Sequence, residues 1–424
     1  MSIVTLATQL GLVKLEAREL TDAQVLRTVA PERRLITWRG RAQQLEDAYR
    51  CITRTPARLY RLEVETAHCA EALLPLQLLK REGRDDVTAY ATGATGFWTR
   101  VLAPLLGAPV TFERLDDYGM GDGFAPLPRI EKLFGIAGHP ALQSLSPKLH
   151  NDGFRRLGIP ALYLPFDVAD FGDFWTSLIS GGGLASLGFD VGALTVVSPH
   201  KEVALAAAGA KTPMVGRARS SNFFVNDGGL WTAATTDAEG VLLTLRERGV
   251  DPRNQRVAVV GCGGSGRVIA AALQHAGADV TLVNRGYDRA SLAVRLLQLP
   301  FMPLASFSPR GYHIVVNATP VGRAGELPFD MAALEEGTVV VDLVYGSEPT
   351  PLVASQRARG QVAIDGLDVL RMQAAAQFRL MTGQAMPAEV LATIGGAHPE
   401  LAARIPLHRQ PPTAHRRLSL LEQA

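Results

Sequence analysis

The sequence predicts an α/β protein made of three successive stretches, each winding helices around a mainly parallel sheet. Two observations carry this. Short β-like apolar runs alternate with helical runs along most of the chain, the rhythm of βα units. One such run, Arg256–Val260, leads straight into a glycine-rich turn and then a helix-like segment. That order of strand, tight turn and helix belongs to a doubly wound sheet.

The elements follow in order. From Val13 to Leu115 the β-like runs are VKLEA, RLITW, RLYRLEV, VTAYA and PVTFERL. A soft segment, DDYGMGDGFAPLP, then marks a boundary, because its Gly, Asp and Pro residues favour turns. A second series starts with FGIAG at Phe134 and continues through ALYLPFDV and ALTVV to the small residues of Ala204–Gly209. Thr236–Asp237 opens a helical run, AEGVLLTLRERG. The third series holds RVAVV, VTLVN, HIVVN, VVVDLVY and VAIDG, and a last helix is expected over Leu367–Thr382. The expected parts are therefore residues 1–130, 131–236, 237–365, 366–398 and a flexible tail, 399–424.

Bulk properties exclude several classes. The 424 residues are 47% hydrophobic with a formal net charge of +2, so sizeable cores can form and no basic field for nucleic acid exists. The basic run His408, Arg409, His415, Arg416 and Arg417 sits in the tail beside Pro411 and Pro412 and reads as a solvated end. No stretch of about 18 uncharged apolar residues suggests a membrane span. The amino terminus lacks the marks of a secretory signal. Three cysteines, with no CxxC pair, argue against a disulfide framework and give no metal-ligand pattern. The expectation is a cytoplasmic protein with no metal, no membrane and no nucleic-acid partner.

Gly261-Cys262-Gly263-Gly264-Ser265-Gly266 is a G-x-G-x-x-G turn between a strand and a helix. The first glycine permits the tight turn, the second lets backbone approach a pyrophosphate, and the third lets helix pack on sheet. Free N–H groups at the helix start suit phosphate. The next strand ends at Asn284-Arg285. A cofactor with a free ribose 2′-hydroxyl calls for Asp or Glu there. This chain has none, while Arg285 and Arg289 can neutralise a 2′-phosphate. The expected cofactor is NADP. Cys262 reads as a small packing residue.

Further motifs are GHPALQSLSPKLHNDGF, ALTVVSPHKEVAL, RARSSNFFVNDGG, TTDAEGVLL, VNATPVG, VVVDLVYGSEPTPL and DGLDVLRMQAA. Across Phe134 to Gly395 they resemble the shikimate dehydrogenase family, with its S-x-S-P-x-x-H-N, V-T-x-P-x-K, A-x-N and N-T-D-G patterns. The resemblance implies a substrate domain over 131–236 and a Rossmann-like NADP-binding domain over 237–365, with the last helix returning to the substrate domain. It implies NADPH-dependent interconversion of 3-dehydroshikimate and shikimate, with Lys201 and Asp237 as the catalytic pair. Ser144 and Ser146 are the implied hydroxyls for the substrate carboxylate, Asn222 a ligand for ring hydroxyls, and Tyr345 and Gln373 further substrate contacts. Asn284, Arg285, Thr319 and the glycine turn, including Ser265, match the cofactor site.

The chemistry agrees. Reducing a ring ketone builds negative charge on the carbonyl oxygen, which an ammonium can stabilise and protonate. A neighbouring carboxylate keeps that ammonium charged and positioned. His150 and His200 are read as structural. One departure bears on the substrate. Val197 stands where the pattern has Thr, with Thr195 two residues before it and Ser198 after it. The substrate-facing hydroxyl is lost or moved, Thr195 is kept among the expected contacts, and the alternatives are a dehydrogenase of quinate or a related cyclitol acid with the same fold, or a non-catalytic ligand-binding homologue. Smaller departures are Ser220, Thr235, Ala238 and Gly286.

The segment ATGATGFWTRVLAPLLGAPVTFERLD resembles the last βα units of type I 3-dehydroquinase. That enzyme is an eight-stranded barrel; here about five strand candidates fit in the 130 residues. The resemblance implies a truncated, partial barrel. Arg61 falls at the Schiff-base lysine and Arg39 near the catalytic histidine, while Arg100 remains as a former substrate contact. Arginine stays protonated and cannot form an imine, so no dehydratase activity is expected. A partial barrel leaves open sheet edges, and self-association through this module is the corresponding expectation.

Overall fold

In the computed structural model, which describes residues 11–109 and 130–394, four of the amino-terminal strand candidates pair side by side. They are β1 (Val13–Glu16), β2 (Arg34–Arg41), β3 (Leu59–Glu65) and β4 (Val87–Thr92), all parallel and in the order β1-β2-β3-β4. The fifth candidate after Pro109, the soft segment before Pro128, and the tail 399–424 lie outside the described residues. The chain divides into two compact units, Met1–His200 and Lys201–Ala424.

Helices cross between the strands of the first unit. Helix α1 (Leu45–Ile52) buries Leu45, Ala48, Tyr49 and Ile52, the i, i+3, i+4, i+7 spacing that gives one apolar stripe. Helices α2 (Cys69–Glu82) and α3 (Gly93–Leu102) complete the crossovers. Arg34 is buried because its guanidinium donates to the carbonyls of Leu26, Val29 and Pro56, which replaces lost water.

The same unit holds a second set of parallel strands, β5 (Lys132–Gly138), β6 (Ala161–Asp167) and β7 (Val191–Val196), with β5 in the middle. Helix α4 (Ser146–Leu157) packs on β6. Trp98 of α3 is buried with its ring 5.8 Å from that of Phe166 on β6. The Cys69 backbone donates to Asp173, and Lys80 to the Ser186 carbonyl. Apolar and polar contacts thus join the amino-terminal strands to the β5–β7 strands within one core.

The second unit begins with β8 (Ala210–Lys211), helix α5 (Pro213–Ala218) and a hairpin of β9 (Phe223–Asp227) and β10 (Leu230–Ala234), with β8 parallel to β10. Helix α6 (Asp237–Glu247) follows. A six-stranded sheet then forms from β11 (Arg256–Val260), β12 (Asp279–Asn284), β13 (Phe301–Pro303), β14 (Ile314–Asn317), β15 (Val339–Asp342) and β16 (Ala363–Ile364). Its order is β13-β12-β11-β14-β15-β16, all parallel, so the winding reverses after β13 and β11 lies beside β14 at the switch.

The residues of β11 explain the two layers. Val257 and Val259 point into a core with Ile269 and Leu273, whereas Ala258 and Val260 point into another with Val340 and Leu352. A strand buried on both faces needs a continuous apolar run. Helices α7 (Gly264–His275) and α8 (Tyr287–Leu297) follow β11 and β12, and α9 (Pro351–Ala358) covers β15. The last long helix, α10 (Gly366–Thr382), starts at a capping box of Asp365 and Asp368 and runs along α6. Gly240 permits that approach, since a Cβ there would lie 2.6 Å from Gln373 Cγ. Arg371 of α10 and Glu247 of α6 form an ion pair with both side chains 2% exposed.

Among the described residues no helix is long and apolar enough to cross a membrane, and no group of three His, Cys, Asp or Glu could hold a metal ion. Cys51, Cys69 and Cys262 are free thiols.

Candidate active site

Asp237 is the first residue of α6 and receives three donors. Lys201 Nζ lies 2.5 Å from its Oδ2, while Asn222 Nδ2 and Gln373 Nε2 lie 2.8 Å and 2.9 Å from its Oδ1. An ionised carboxylate only accepts, and it has room for all three. The positive end of α6 adds to its stabilisation. Asp237 is buried, and the lysine side chain keeps 18% exposure.

The neighbours are held in turn. Asn222 Oδ1 accepts the Thr236 backbone N–H at 2.7 Å, and its Nδ2 also reaches Thr236 Oγ1 at 3.0 Å. Gln377 Nε2 donates to the same hydroxyl at 2.9 Å. Four segments are thereby fixed around one carboxylate: the Lys201 loop, the start of β9, the start of α6, and α10. Sequence reading missed Thr236 and Gln377. Their signal was weak, because a threonine before a helix reads as an ordinary cap and a glutamine in a helix as surface.

The glycine turn meets this cluster directly. Lys201 Nζ lies 2.9 Å from Ser265 Oγ. A Cβ on Gly264 would lie 2.4 Å from Ser220 Oγ, so no larger residue fits. Gly261 has φ +111°, and a Cβ on Gly266 would lie 1.9 Å from the Gly261 carbonyl oxygen, while Gly263 faces open space. These are the turn, the close packing and the open approach that a phosphate cradle needs. Asn284 Oδ1 accepts the Cys262 N–H at 3.2 Å and its Nδ2 donates to the Gly286 carbonyl, bracing the turn from β12. Arg285 and Arg289 are exposed beyond it. Thr319 is tied to Asn317 by a 2.7 Å hydrogen bond after β14.

Arg267 is the largest omission of the sequence reading. It is fully buried in α7. Its guanidinium donates to the carbonyls of Ala218, Arg219 and Cys262 and pairs with Glu202 at 3.3 Å. It ties the glycine turn to the segment leading to Asn222. Tyr345, half-buried after β15, has its hydroxyl pKa raised by burial, with Arg323 acting against this.

The first unit carries the other expected contacts. Ser146 opens α4 and is buried, and its N–H donates to Ser144 Oγ at 3.2 Å. Thr195 is 4% exposed and its Oγ1 accepts the Tyr163 hydroxyl at 2.7 Å. Val197 is half-buried, and a Cβ on Gly138 would lie 2.2 Å from its Cγ2. His150 is buried with its ring 4.4 Å from that of Tyr163, and His200 Nε2 lies 2.7 Å from the Val168 carbonyl.

Residues 136–223 match the family model of the shikimate dehydrogenase substrate binding domain, and residues 257–296 match that of ketopantoate reductase PanE/ApbA. The chain is 38% identical over 256 residues to a shikimate dehydrogenase (NADP(+)) of Acidiphilium cryptum, covering 59% of this chain and 91% of that one. It is 36% identical to one from Moorella thermoacetica, covering 61% and 90%. Among solved structures, a Thermus thermophilus shikimate 5-dehydrogenase in complex with NADP(H) and shikimate is 29% identical with a TM-score of 0.55, covering 64% of this chain and 99% of that one. A quinate dehydrogenase from Corynebacterium glutamicum, 24% identical with a TM-score of 0.56, covers 62% and 98% and shares the fold.

Proposed function

The chain belongs to the shikimate dehydrogenase family, and on that premise we propose that it reduces 3-dehydroshikimate to shikimate with NADPH. The observation that carries the reading is the Lys201–Asp237 pair, 2.5 Å apart and 2.9 Å from the glycine turn through Ser265. The residues present suit NADP: Gly261, Gly263, Gly264, Ser265 and Gly266 form a cradle with an open approach, Asn284 braces it, and Arg285 and Arg289 offer charge for a 2′-phosphate. The bound cofactor supplies the hydride. Lys201 Nζ holds the proton destined for the carbonyl oxygen and stabilises the charge that grows there. Asp237 keeps the lysine in place, and Asn222 and Gln373 hold the carboxylate. In the first unit, Ser144 and Ser146 are the proposed partners of the substrate carboxylate.

The test is spectrophotometric. Purified protein is mixed with shikimate and NADP, with quinate and NAD in parallel cuvettes. Rapid reduction with shikimate and NADP supports the assignment. Reduction with quinate alone moves it to the neighbouring activity, which the apolar Val197 favours because a ring-hydroxyl partner is absent there. No reduction in any cuvette by a folded protein overturns both.

We further propose that the four parallel strands of the first unit are the inactive remnant of a dehydratase-like barrel, with β1, the more exposed of its two outer strands, as the edge for self-association in the cytoplasm. Arg61, at the position of the imine-forming lysine, is buried and paired with Glu63 at 3.1 Å, which suits a structural role. Protein that dehydrates 3-dehydroquinate at an enzyme-like rate would refute this. Size-exclusion chromatography of the full chain tests the association.

A further inference from the structure

A cavity of 770 Å³ lies within the second unit, lined by residues of α5, α6, α7 and the loop after α6. Lys201, Asp237 and Gln373 are not among its lining residues, so it is separate from the reacting groups. Met214, Leu242, Leu243 and Val250 give it apolar walls. Arg217, Arg246 and Arg253 bring positive charge, and His275 a protonatable ring. Among the described residues neither Arg246 nor Arg253 has an ion-pair partner. Asp251 opposes them, but its Oδ1 already accepts the Arg253 backbone N–H at 3.0 Å.

Two lining residues hold polar atoms that are sealed from solvent and make no hydrogen bond: Glu239 Oε2 and Thr235 Oγ1. Each carries the desolvation cost of a buried polar atom without a partner. Burial pushes the Glu239 carboxyl up to about 7, with Arg379 acting the other way. The volume lies within the range of small-molecule sites, which are apolar cavities with a few placed polar groups.

We propose that this cavity is a second small-molecule site, which takes an organic anion with an apolar body. The arginines meet the anionic group and the aliphatic walls take the body. The inference does not depend on which ring acid the active site reduces.

The probe is 8-anilinonaphthalene-1-sulfonate, which has two aromatic groups, one sulfonate and one N–H. The full chain is titrated by fluorescence, with and without saturating shikimate and NADP. One saturable equivalent is expected in both conditions. Ala276→Trp, which narrows the cavity, and Arg246→Ala, which removes a cation, should each weaken binding about tenfold while shikimate oxidation and Tm hold. The second variant decides the matter if the first fails to fold. The neutral analogue N-phenyl-1-naphthylamine should bind about tenfold more weakly. Absence of binding to the wild type, displacement by shikimate or NADP, equal binding by Arg246→Ala, or equal affinity for the neutral analogue would each overturn the proposal.

Discussion

Lys201 Nζ lies 2.9 Å from Ser265 Oγ and 2.5 Å from Asp237 Oδ2. The cation proposed to stabilise charge on the carbonyl oxygen is therefore anchored to the turn proposed to carry the cofactor phosphates. Replacing Ser265 by Ala removes this tether and leaves the Asp237 pair. The expected outcome is a kcat about tenfold lower, equivalent to about 1.4 kcal/mol, with the KM for shikimate little changed. Steady-state kinetics with NADP saturating checks this. An unchanged kcat would mean that Asp237 alone positions the lysine.

Lys201→Ala should lower kcat by about 10²–10⁴-fold, the range for loss of a positioned general acid. Shikimate and NADP should still bind, because the serines and the glycine turn are untouched. Isothermal titration beside kinetics separates the two effects.

At Gly240, α10 packs against α6 with no room for a side chain. An alanine Cβ there would lie 2.6 Å from Gln373 Cγ and 3.1 Å from the Val369 carbonyl. Gly240→Ala should cost about 1–3 kcal/mol through overpacking, and it should push Gln373 off Asp237. Thermal unfolding and kcat should fall together; a stable variant of full activity would show that the helices can separate without disturbing the carboxylate.

Arg285→Ala should raise the KM for NADP about tenfold and leave the KM for NAD nearly unchanged, since an exposed charge-assisted contact to a 2′-phosphate is lost. Equal effects on both cofactors would place Arg285 outside the phosphate contact.

Glu239 gives a pH signature of stability. Its carboxyl is raised from 4.5 to about 7 by burial. The folded protein therefore binds a proton more tightly there than the unfolded chain does, and stability from this group declines as pH rises from 4.5 through 7. In Glu239→Gln the decline disappears. The Tm of the variant minus that of the wild type should grow from pH 5 to pH 8, and a difference that stays flat would contradict the shift.

The alternation of strand and helix was legible in the residues alone, because residue types with period 2, period 3.6 or no polar face leave few ways to bury them. Arg256–Val260 could only be a strand covered on both sides, and the glycines after it could only be a tight turn. The order of motifs likewise carried Lys201, Asp237, Asn222 and Gln373, which the fold does gather on one carboxylate. Tertiary structure decided what depends on contacts between distant segments. Thr236 and Gln377 are 141 positions apart and meet through one hydroxyl. Arg267, which composition would place on the surface, is buried because carbonyls of Ala218, Arg219 and Cys262 converge on it. Thr195 faces Tyr163 because strand pairing sets which face each side chain takes. The cavity beside Glu239 exists only where α5, α6 and α7 come together. Local patterns fix which segments order, since they depend on neighbours a few residues away. Burial, hydrogen-bond partners and cavities depend on which segments end up adjacent, and no local pattern encodes that.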